Sequence, residues 1–312
     1  MLEFDKKEYI TNIENLKDLV TTIFTIISDI YEKVTPTEIK QRKGIKGMKM
    51  SDVEIITIVI TGELMSIDSE RAWYGFCRKN LSDLFPRFCE RSRFNRIRRN
   101  LHNVINEMRR AISEIVVPTD TQIIDSLPLP VCKFGRAHFH KTYKGYGACY
   151  GYCASKKETY FGYKLHLLCD LKGYPVDFLL TPANVDDRKP VAELIENHGV
   201  TALFADKGYT GDDFACDLKH QTGIDVFPLP KQTSKQIKEE KPLRQYIFKK
   251  RRRIETTGSQ FSDQLNLQRV RSKSLWGLFT RLNTKFLAFA VAFLINIIIG
   301  FPNPICIKHL VF

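Results

Sequence analysis

Hydrophobic residues recur at helical spacing through the first third of the chain. The first apolar stripe consists of Ile10, Ile13, Leu16, Val20, Ile23, Ile27 and Ile30. Intervals of three or four residues place such a stripe on one face of a helix. Further along, Ser51-Asp52-Val53-Glu54 matches a capping box and predicts the start of another helix. Residues 1–116 are therefore predicted to be helical.

A longer helix is predicted after Ser92, following short helices at 69–78 and 81–85. Its apolar stripe consists of Phe94, Ile97, Leu101, Ile105, Met108 and Ile112. Arg93, Arg96 and Arg99 fall largely off that stripe. An arginine-rich helix in a compact helical region is compatible with helix-turn-helix DNA binding. The alternative is an ordinary helical bundle with a solvated arginine face.

Strand patterns begin near residue 117. Short apolar runs predict strands at 122–126, 161–170, 175–181, 202–206 and 224–227, with helices at 188–197, at 211–222 and around Glu255. Residues 134–157 and 228–241 are predicted to be loops. The order predicts an α/β fold, a mixed sheet with helices on its faces. We expect two domains, a helical one at 1–116 and an α/β one at 117–312.

Residues 286–307 carry no charge and raise the question of a membrane span. Glycine and prolines leave a continuous helical run only over 286–299. About 14 residues are short of the ~20 that cross a bilayer. We expect a buried core helix and no transmembrane segment.

The net charge of +13 in 312 residues is concentrated in two segments. Residues 231–253 hold ten basic and two acidic residues, a net charge of +8, and residues 87–110 hold eight Arg and two Glu, a net charge of +6. This distribution favours two phosphate-contacting surfaces and a polyanionic partner. Solvated charged faces are the alternative.

The eight cysteines are scattered, and we expect reduced thiols in a cytoplasmic protein. Cys149 and Cys153 form a C-x-x-x-C pair near His138 and His140. The pair raises the possibility of a structural zinc, but the spacing is loose and no second pair follows.

Three acidic residues stand out by their local context. Asp125 ends the strand-like run Ile123-Ile124, Asp206 ends another strand, and Glu255 follows a run of five basic residues. Carboxylates are the ligands that hard divalent cations prefer, and a basic helix can hold a phosphodiester beside them. Six other aspartates are rival candidates for such a site, but we expect them to have surface or helix-capping roles. They are Asp170, Asp177, Asp186, Asp187, Asp212 and Asp213.

The segments around these three acids resemble the acidic blocks of bacterial insertion-sequence transposases of the DDE type. They are Ile-Asp-Ser at 124–126, Ala-Asp-Lys-Gly-Tyr at 205–209 and Arg-Arg-Arg-Ile-Glu-Thr-Thr at 251–257. The sequence is most similar to the IS982 family and more distantly to the IS4/IS5-like group. The likeness covers most of the chain. It implies an RNase H-like catalytic core behind a helical DNA-binding region.

Two-metal phosphoryl transfer fits the three acids. Two Mg²⁺ ions about 4 Å apart activate a nucleophile and stabilise the leaving oxygen, with Mn²⁺ as the alternative ion. We expect Asp125 to bridge the metals, with Asp206 and Glu255 each completing one coordination set. Asp125 and Asp206 would project from adjacent strands, and Glu255 from a covering helix.

Basic and aromatic residues around the acids are predicted to contact DNA. They are Arg251, Lys249, Lys250, Arg252, Arg253, Lys207, Tyr209 and Lys164, together with Arg93, Arg96 and Arg99 of the helical region. Arg251 matches the arginine of the broader Y-x-x-R-x-x-x-E pattern, in which Phe248 replaces the tyrosine. Gly258, one turn after Glu255, costs about 1 kcal/mol of helix propensity against alanine.

The predicted function is a DNA transposase that binds terminal inverted repeats, cleaves the element ends and joins them to target DNA. A homo-oligomer is expected because two element ends must be processed together. The expected location is the bacterial cytoplasm, and the nucleoid when DNA is bound. Two alternatives are a metal-dependent nuclease with the same core and a non-catalytic DNA-binding regulator.

Overall fold

The computed structural model describes residues 13–116, 119–229, 241–269 and 271–310. Two compact units are present, one formed by Met1–Val116 with Gln260–Phe312 and the other by Val117–Ser259. The first is helical and the second contains the sheet, so the chain is mixed α/β. The chain changes from helices to strands near the predicted boundary, although Gln260–Phe312 groups with the N-terminal helices rather than with the sheet. Most of the predicted loop 228–241, and Ile10 of the first stripe, lie outside the described residues.

The α-helices are α1 (Leu16–Val34), α2 (Thr37–Lys40), α3 (Asp52–Leu64), α4 (Glu70–Asn80), α5 (Arg91–Asn100), α6 (His102–Val116), α7 (Lys141–Lys144), α8 (Val191–Ile195), α9 (Asp212–Thr222), α10 (Lys241–Asp263) and α11 (Leu275–Ile298). The strands are β1 (Thr121–Pro130), β2 (Cys149–Cys153), β3 (Glu158–Asp170), β4 (Pro175–Pro182), β5 (Ala202–Ala205) and β6 (Asp225–Pro228).

The helical unit confirms the capping box and corrects two helix predictions. The Ser51 hydroxyl accepts from the Glu54 amide, and the Glu54 carboxylate accepts from the Ser51 amide. The single helix predicted after Ser92 is two, because Leu101 leaves helical geometry between α5 and α6. Asn100 has a low helix propensity at that junction. Residues 81–85 form a turn rather than a helix.

The apolar C-terminal helix is longer than its sequence indicated. α11 has 24 residues, because it starts at Leu275 rather than near residue 286. Among the described residues it is the one helix long and apolar enough to cross a membrane, and 89% of its most apolar window is buried inside the protein. Lys285 lies within it, 2% exposed and paired with Glu63 of α3. α11 therefore fills the centre of the helical unit, packed against α6 and α3.

The sheet has the strand order β2-β3-β1-β5-β6, and β4 also pairs with β3. β1 is antiparallel to β3 and parallel to β5, and β5 is parallel to β6. β1 was expected to end at Asp125, but it continues to Pro130 because β3, with 13 residues, supplies partners along its whole length. The pairing with β5 covers only Thr121–Ile123.

The far half of β1 is unusual in containing two prolines. The Val131 amide donates to Phe161 of β3, so odd-numbered amides of β1 face β3. Pro128 and Pro130 therefore face the opposite side, where β5 has already ended. Because proline lacks an N–H, the missing donors cost no ladder bond there.

α10 packs closely on the face of the sheet that carries Leu127. A Cβ on Gly258 would lie 3.1 Å from Leu127 Cδ2, so glycine permits the approach. The Thr257 hydroxyl lies 2.6 Å from the carbonyl oxygen of Gly173, in the β3–β4 turn. The first contact sets the distance between α10 and the sheet, and the second ties α10 to the β3–β4 turn.

Two predicted segments of the sheet unit differ in detail. The loop at 134–157 contains a 3₁₀ helix (Phe134–Phe139), α7 and β2. The helix predicted at 188–197 is only α8, five residues long. Asp186, which was expected to cap it, instead binds the backbone and side chain of Arg188.

Candidate active site

Asp125 lies on β1, two residues beyond the last residue that pairs with β5. Its Oδ1 accepts the Ser126 amide at 2.9 Å. Although 27% of its side chain is exposed, burial raises the pKa of Asp125 to about 6. The Arg251 guanidinium and the Ser126 amide oppose that rise in pKa, whereas the charges of Asp206 and Glu255 add to it. The Asp125 carboxyl therefore interacts with both other predicted acids.

Asp206 follows the last residue of β5 and is level with Asp125. Thr121–Ile123 pair with Ala202–Phe204, and continuing that register by two residues brings Asp125 opposite Asp206. The predicted placement on adjacent strands is confirmed, with Asp125 inside its strand rather than at its end. The chain then turns through a 3₁₀ helix, Lys207–Tyr209.

Glu255 is on α10, one turn after Arg251. The Arg251 side chain is buried and contacts all three acids: it lies 3.2 Å from Asp206, 3.7 Å from Asp125 and 3.8 Å from Glu255. The exposed fraction of the acid side chains rises from 27% at Asp125 to 39% at Asp206 and 57% at Glu255. One cation thus faces three carboxylates that come from two strands and a helix.

The arrangement concentrates negative charge at the surface around a single guanidinium. Three carboxylates against one arginine leave a formal excess of two negative charges at this point. As the side chains lie, the described part of the chain contains no group of three His, Cys, Asp or Glu that could hold a metal ion. Carboxylate oxygens are nonetheless the donors that Mg²⁺ prefers, and here they already surround a positive charge.

Four of the six rival acids, Asp170, Asp177, Asp186 and Asp187, have structural partners of their own. Asp170 accepts the amides of Lys172 and Tyr174 in the β3–β4 turn. Asp177 lies 3.0 Å from His198, and Asp187 lies 2.9 Å from Lys164. Asp212 and Asp213 are in the first turn of α9, where carboxylates complement the helix dipole. None of the six contacts Arg251 through an ion pair in the described residues.

The cations predicted on α10 divide into two groups. Lys249, Arg252 and Arg253 are exposed and Lys250 is half-buried, with its ammonium 5.4 Å from the Tyr246 ring centroid. Arg251 alone is buried against the acids. Lys207, in the turn after Asp206, is exposed. The exposed cations of α10 lie on the same helix as Glu255 and are accessible to a polyanion.

Two predicted DNA contacts are buried or already engaged within the protein. Tyr209 is 2% exposed, and burial raises its pKa well above its usual range. Lys164 donates to the Val185 carbonyl and to Asp187. Its neighbour His166 is fully buried against Thr181, and burial lowers the His166 pKa to about 4. These side chains make contacts inside the sheet unit and are not presented on its surface.

The arginine-rich segment of the helical unit is only partly on the surface. Arg93, Arg96 and Arg99 are exposed on α5, as predicted. Arg98 and Arg109 are buried, and Arg98 is paired with Glu70 at 2.7 Å. The exposed positive charge of residues 87–110 is therefore smaller than the sequence count.

The zinc hypothesis at Cys149 and Cys153 is not supported. Both lie on β2, where four residues span about 13 Å, too far for two thiolates to share one metal. Cys149 Sγ lies 3.3 Å from the Gly147 carbonyl oxygen and Cys153 Sγ 3.3 Å from the Ser155 hydroxyl.

Thr257 is a positioning residue that the sequence prediction missed. Its hydroxyl ties α10 to the β3–β4 turn, two residues after Glu255. In the sequence, Thr257 lies three residues after Ile254 and so on the same face of the helix, which is only a weak indication of a buried contact.

Comparison with known proteins identifies the family. A family model described as "Transposase DDE domain" matches residues 116–275, just over half of the chain, and the match includes Asp125, Asp206 and Glu255. A search of curated proteins and a search of solved structures each found no match. The chain belongs to the transposase DDE domain family.

Proposed function

We propose that this protein is the transposase of an insertion sequence related to the IS982 family. As a member of a transposase family it acts on DNA. The proposal is that it binds the terminal inverted repeats of its element, cleaves at the ends and joins them to target DNA by two-metal phosphoryl transfer. An RNase H-like description of the sheet unit is part of this proposal.

The convergence of three acids on Arg251 carries the proposal. Asp125, Asp206 and Glu255 are 130 residues apart at most in the sequence, yet their carboxylates contact the same guanidinium within 3.8 Å. Four of the six rival acids have other partners. Three carboxylates around one guanidinium leave a formal excess of two negative charges, which supports the binding of further positive charge.

Asp125, Asp206 and Glu255 are the residues we propose as ligands of divalent cations. Bound Mg²⁺ or Mn²⁺ would lower the pKa of the attacking water or 3′-hydroxyl and stabilise the departing oxygen. Asp125 is held by its own strand and the Ser126 amide, and it is the least exposed of the three. Glu255 is the most exposed and is the one carried by a helix.

The exposed cations of α10 are proposed to hold the DNA backbone at this site. Lys249, Arg252 and Arg253 lie within six residues of Glu255, and Lys207 directly follows Asp206. Phosphate contacts of this kind position a duplex without reading its sequence. We propose that the helical unit, with Arg93, Arg96 and Arg99 of α5, supplies terminal-repeat binding.

The remaining parts of the proposal concern assembly and location. Two element ends must be processed together, so we propose a homo-oligomer in the DNA complex. We also propose that the protein acts in the bacterial cytoplasm, at the nucleoid.

The proposal is tested with purified protein, labelled terminal-repeat duplex, target plasmid and Mg²⁺. Asp125→Asn, Asp206→Asn and Glu255→Gln should each lower cleavage and joining by at least about 100-fold, because each removes a charged metal ligand. Binding to the duplex should be retained. Asp213→Asn, an exposed acid on α9, is the matched control and should react like the wild type.

The outcomes separate the alternative functions. Cleavage without a joined product would identify a nuclease and contradict strand transfer. Full activity in all three acid variants would show that the site is wrong. Binding without any metal-dependent reaction by the wild type would favour a DNA-binding regulator.

A further inference from the structure

Residues 131–157, the aromatic segment, display an unusual number of rings to solvent. Eleven large hydrophobic side chains are exposed in the described residues, and five of them are in this segment. They are Phe134 (56% exposed), Phe139 (77%), Tyr146 (54%), Tyr150 (47%) and Tyr152 (61%). Exposed apolar groups gathered in one place mark interaction sites.

The segment is held in place by buried anchors, so its exposed rings are presented by the fold. Ala137, Tyr143 and Ala148 are buried. The Tyr163 hydroxyl of β3 donates to the Tyr146 carbonyl oxygen at 2.9 Å. The Tyr143 ring stacks on His140 with centroids 5.4 Å apart. Anchoring lowers the entropy lost when a ligand binds.

Three of the exposed rings form one surface. Phe134 and Tyr150 are in edge-to-face contact, with ring centroids 6.0 Å apart. Tyr150 and Tyr152 are two residues apart on β2, so they project from the same face of the strand. The Tyr150 ring packs in turn on buried Phe161 of β3, with centroids 5.2 Å apart. Phe134, Tyr150 and Tyr152 are named here the ring platform.

The aromatic segment is also strongly cationic. Between Val131 and Lys157 the sequence has six Lys or Arg and no Asp or Glu. All six are exposed: Lys133, Arg136, Lys141, Lys144, Lys156 and Lys157. An exposed apolar surface within a segment that carries only positive charge is complementary to a ligand with both flat apolar faces and negative charge.

We propose that the ring platform binds single-stranded DNA, its rings stacking on unpaired bases while the surrounding cations hold the phosphates. Such a combination of aromatic side chains and a basic surface is suited to unpaired strands, whose bases expose their π-faces. In a duplex those faces are covered by neighbouring base pairs. This inference rests on the proposed function for DNA as the ligand, and it adds a second binding surface outside the acid site.

The test is equilibrium binding of the full chain, in EDTA, to a labelled 20-nucleotide single strand and to a duplex of the same length, followed by fluorescence anisotropy. The variant Tyr150→Ala/Tyr152→Ala should bind the single strand at least about tenfold more weakly, since stacking on each ring is lost. Its duplex affinity should change less than about twofold. Tyr150→Phe/Tyr152→Phe keeps the rings and should bind like the wild type.

Phe24→Ala, which removes an exposed ring from α1, is the matched control and should leave both affinities unchanged. Equal losses for single strand and duplex, or no loss, would overturn the inference. A change of oligomeric state in the alanine variant, seen by size-exclusion chromatography, would identify the platform as a contact between copies and would also overturn it. Loss of terminal-repeat cleavage in the acid variants bears only on the proposed function, because EDTA keeps the binding assay independent of catalysis.

Discussion

Arg251 is one side chain whose environment is set by three others. Its guanidinium is buried, and its three ion pairs of 3.2–3.8 Å are loose by the standard of a direct salt bridge. Without it, the carboxylates of Asp125, Asp206 and Glu255 would repel one another with no cation to offset them. Arginine and a divalent cation therefore have overlapping electrostatic roles at this position.

Arg251→Met should lower the free energy of unfolding in EDTA by about 1 kcal/mol, a value kept small because the partner carboxylates are partly exposed. Added Mg²⁺ should raise the stability of this variant more than that of the wild type, since a competing cation is gone. The measurement is urea unfolding with and without Mg²⁺.

Arg252→Met is the control for that experiment. Arg252 is the next residue on α10 but is exposed, so its loss should change stability by less than about 0.5 kcal/mol. Identical behaviour of the two variants, with and without Mg²⁺, would contradict the role assigned to Arg251.

The sequence was informative about the acids and less so about their neighbours. Strand-like runs precede Asp125 and Asp206, and a basic helical run precedes Glu255. Arg251 could be predicted as their neighbour because it is one helical turn from Glu255. The pairing of Lys164 with Asp187 joins residues 23 positions apart through a loop, and no local pattern indicates it. The burial of Tyr209 likewise depends on tertiary packing.

At the scale of the element, Gly258 shows how packing decides a residue that helix propensity disfavours. The position is within α10, but a Cβ there would lie 3.1 Å from Leu127 Cδ2. Gly75 in α4 is also helical, and a Cβ there would meet nothing within 4 Å. The two glycines differ in surroundings rather than in backbone class.

Gly75→Ala should therefore raise the free energy of unfolding by about 1 kcal/mol, the usual propensity gain. Gly258→Ala should gain less than that or lose stability, because Leu127 must give way. Chemical denaturation of both variants measures the difference. If Gly258→Ala gained as much as Gly75→Ala, the close approach of α10 to β1 would be contradicted.

Elements were predictable where they are periodic, and their ends were not. The capping box located α3, and the strand runs located β3 and β5. The extent of β1 escaped prediction because its far half depends on β3 as a partner and contains two prolines. α11 was predicted too short because only the uncharged segment from residue 286 was considered. Lys285 precedes that segment, and inside the unit it is paired with Glu63.

For the whole molecule, the distribution of charge matters more than the total of +13. Burial removes Arg98 and Arg109 from the surface and leaves Arg93, Arg96 and Arg99 on α5. Each phosphate contact releases counterions, which makes affinity depend on salt with a slope of about −0.9 per contact in duplex DNA.

The triple variant Arg93→Gln/Arg96→Gln/Arg99→Gln should thus reduce the slope of log K against log salt by about 2–3. Arg110→Gln is the control, since Arg110 is an exposed arginine already 3.6 Å from Glu107. Titrations of terminal-repeat duplex over a range of salt concentrations measure the slopes. An unchanged slope in the triple variant would exclude α5 as a phosphate-contacting surface.

The two prolines of β1 have a consequence for self-association. An unpaired strand edge is a template on which another chain can add a strand, and such addition leads to aggregation. Pro128 and Pro130 remove the donors from the stretch of edge just past Asp125. Strand addition by a second copy is therefore disfavoured beside Asp125, so the proposed homo-oligomer would leave that opening accessible to a substrate.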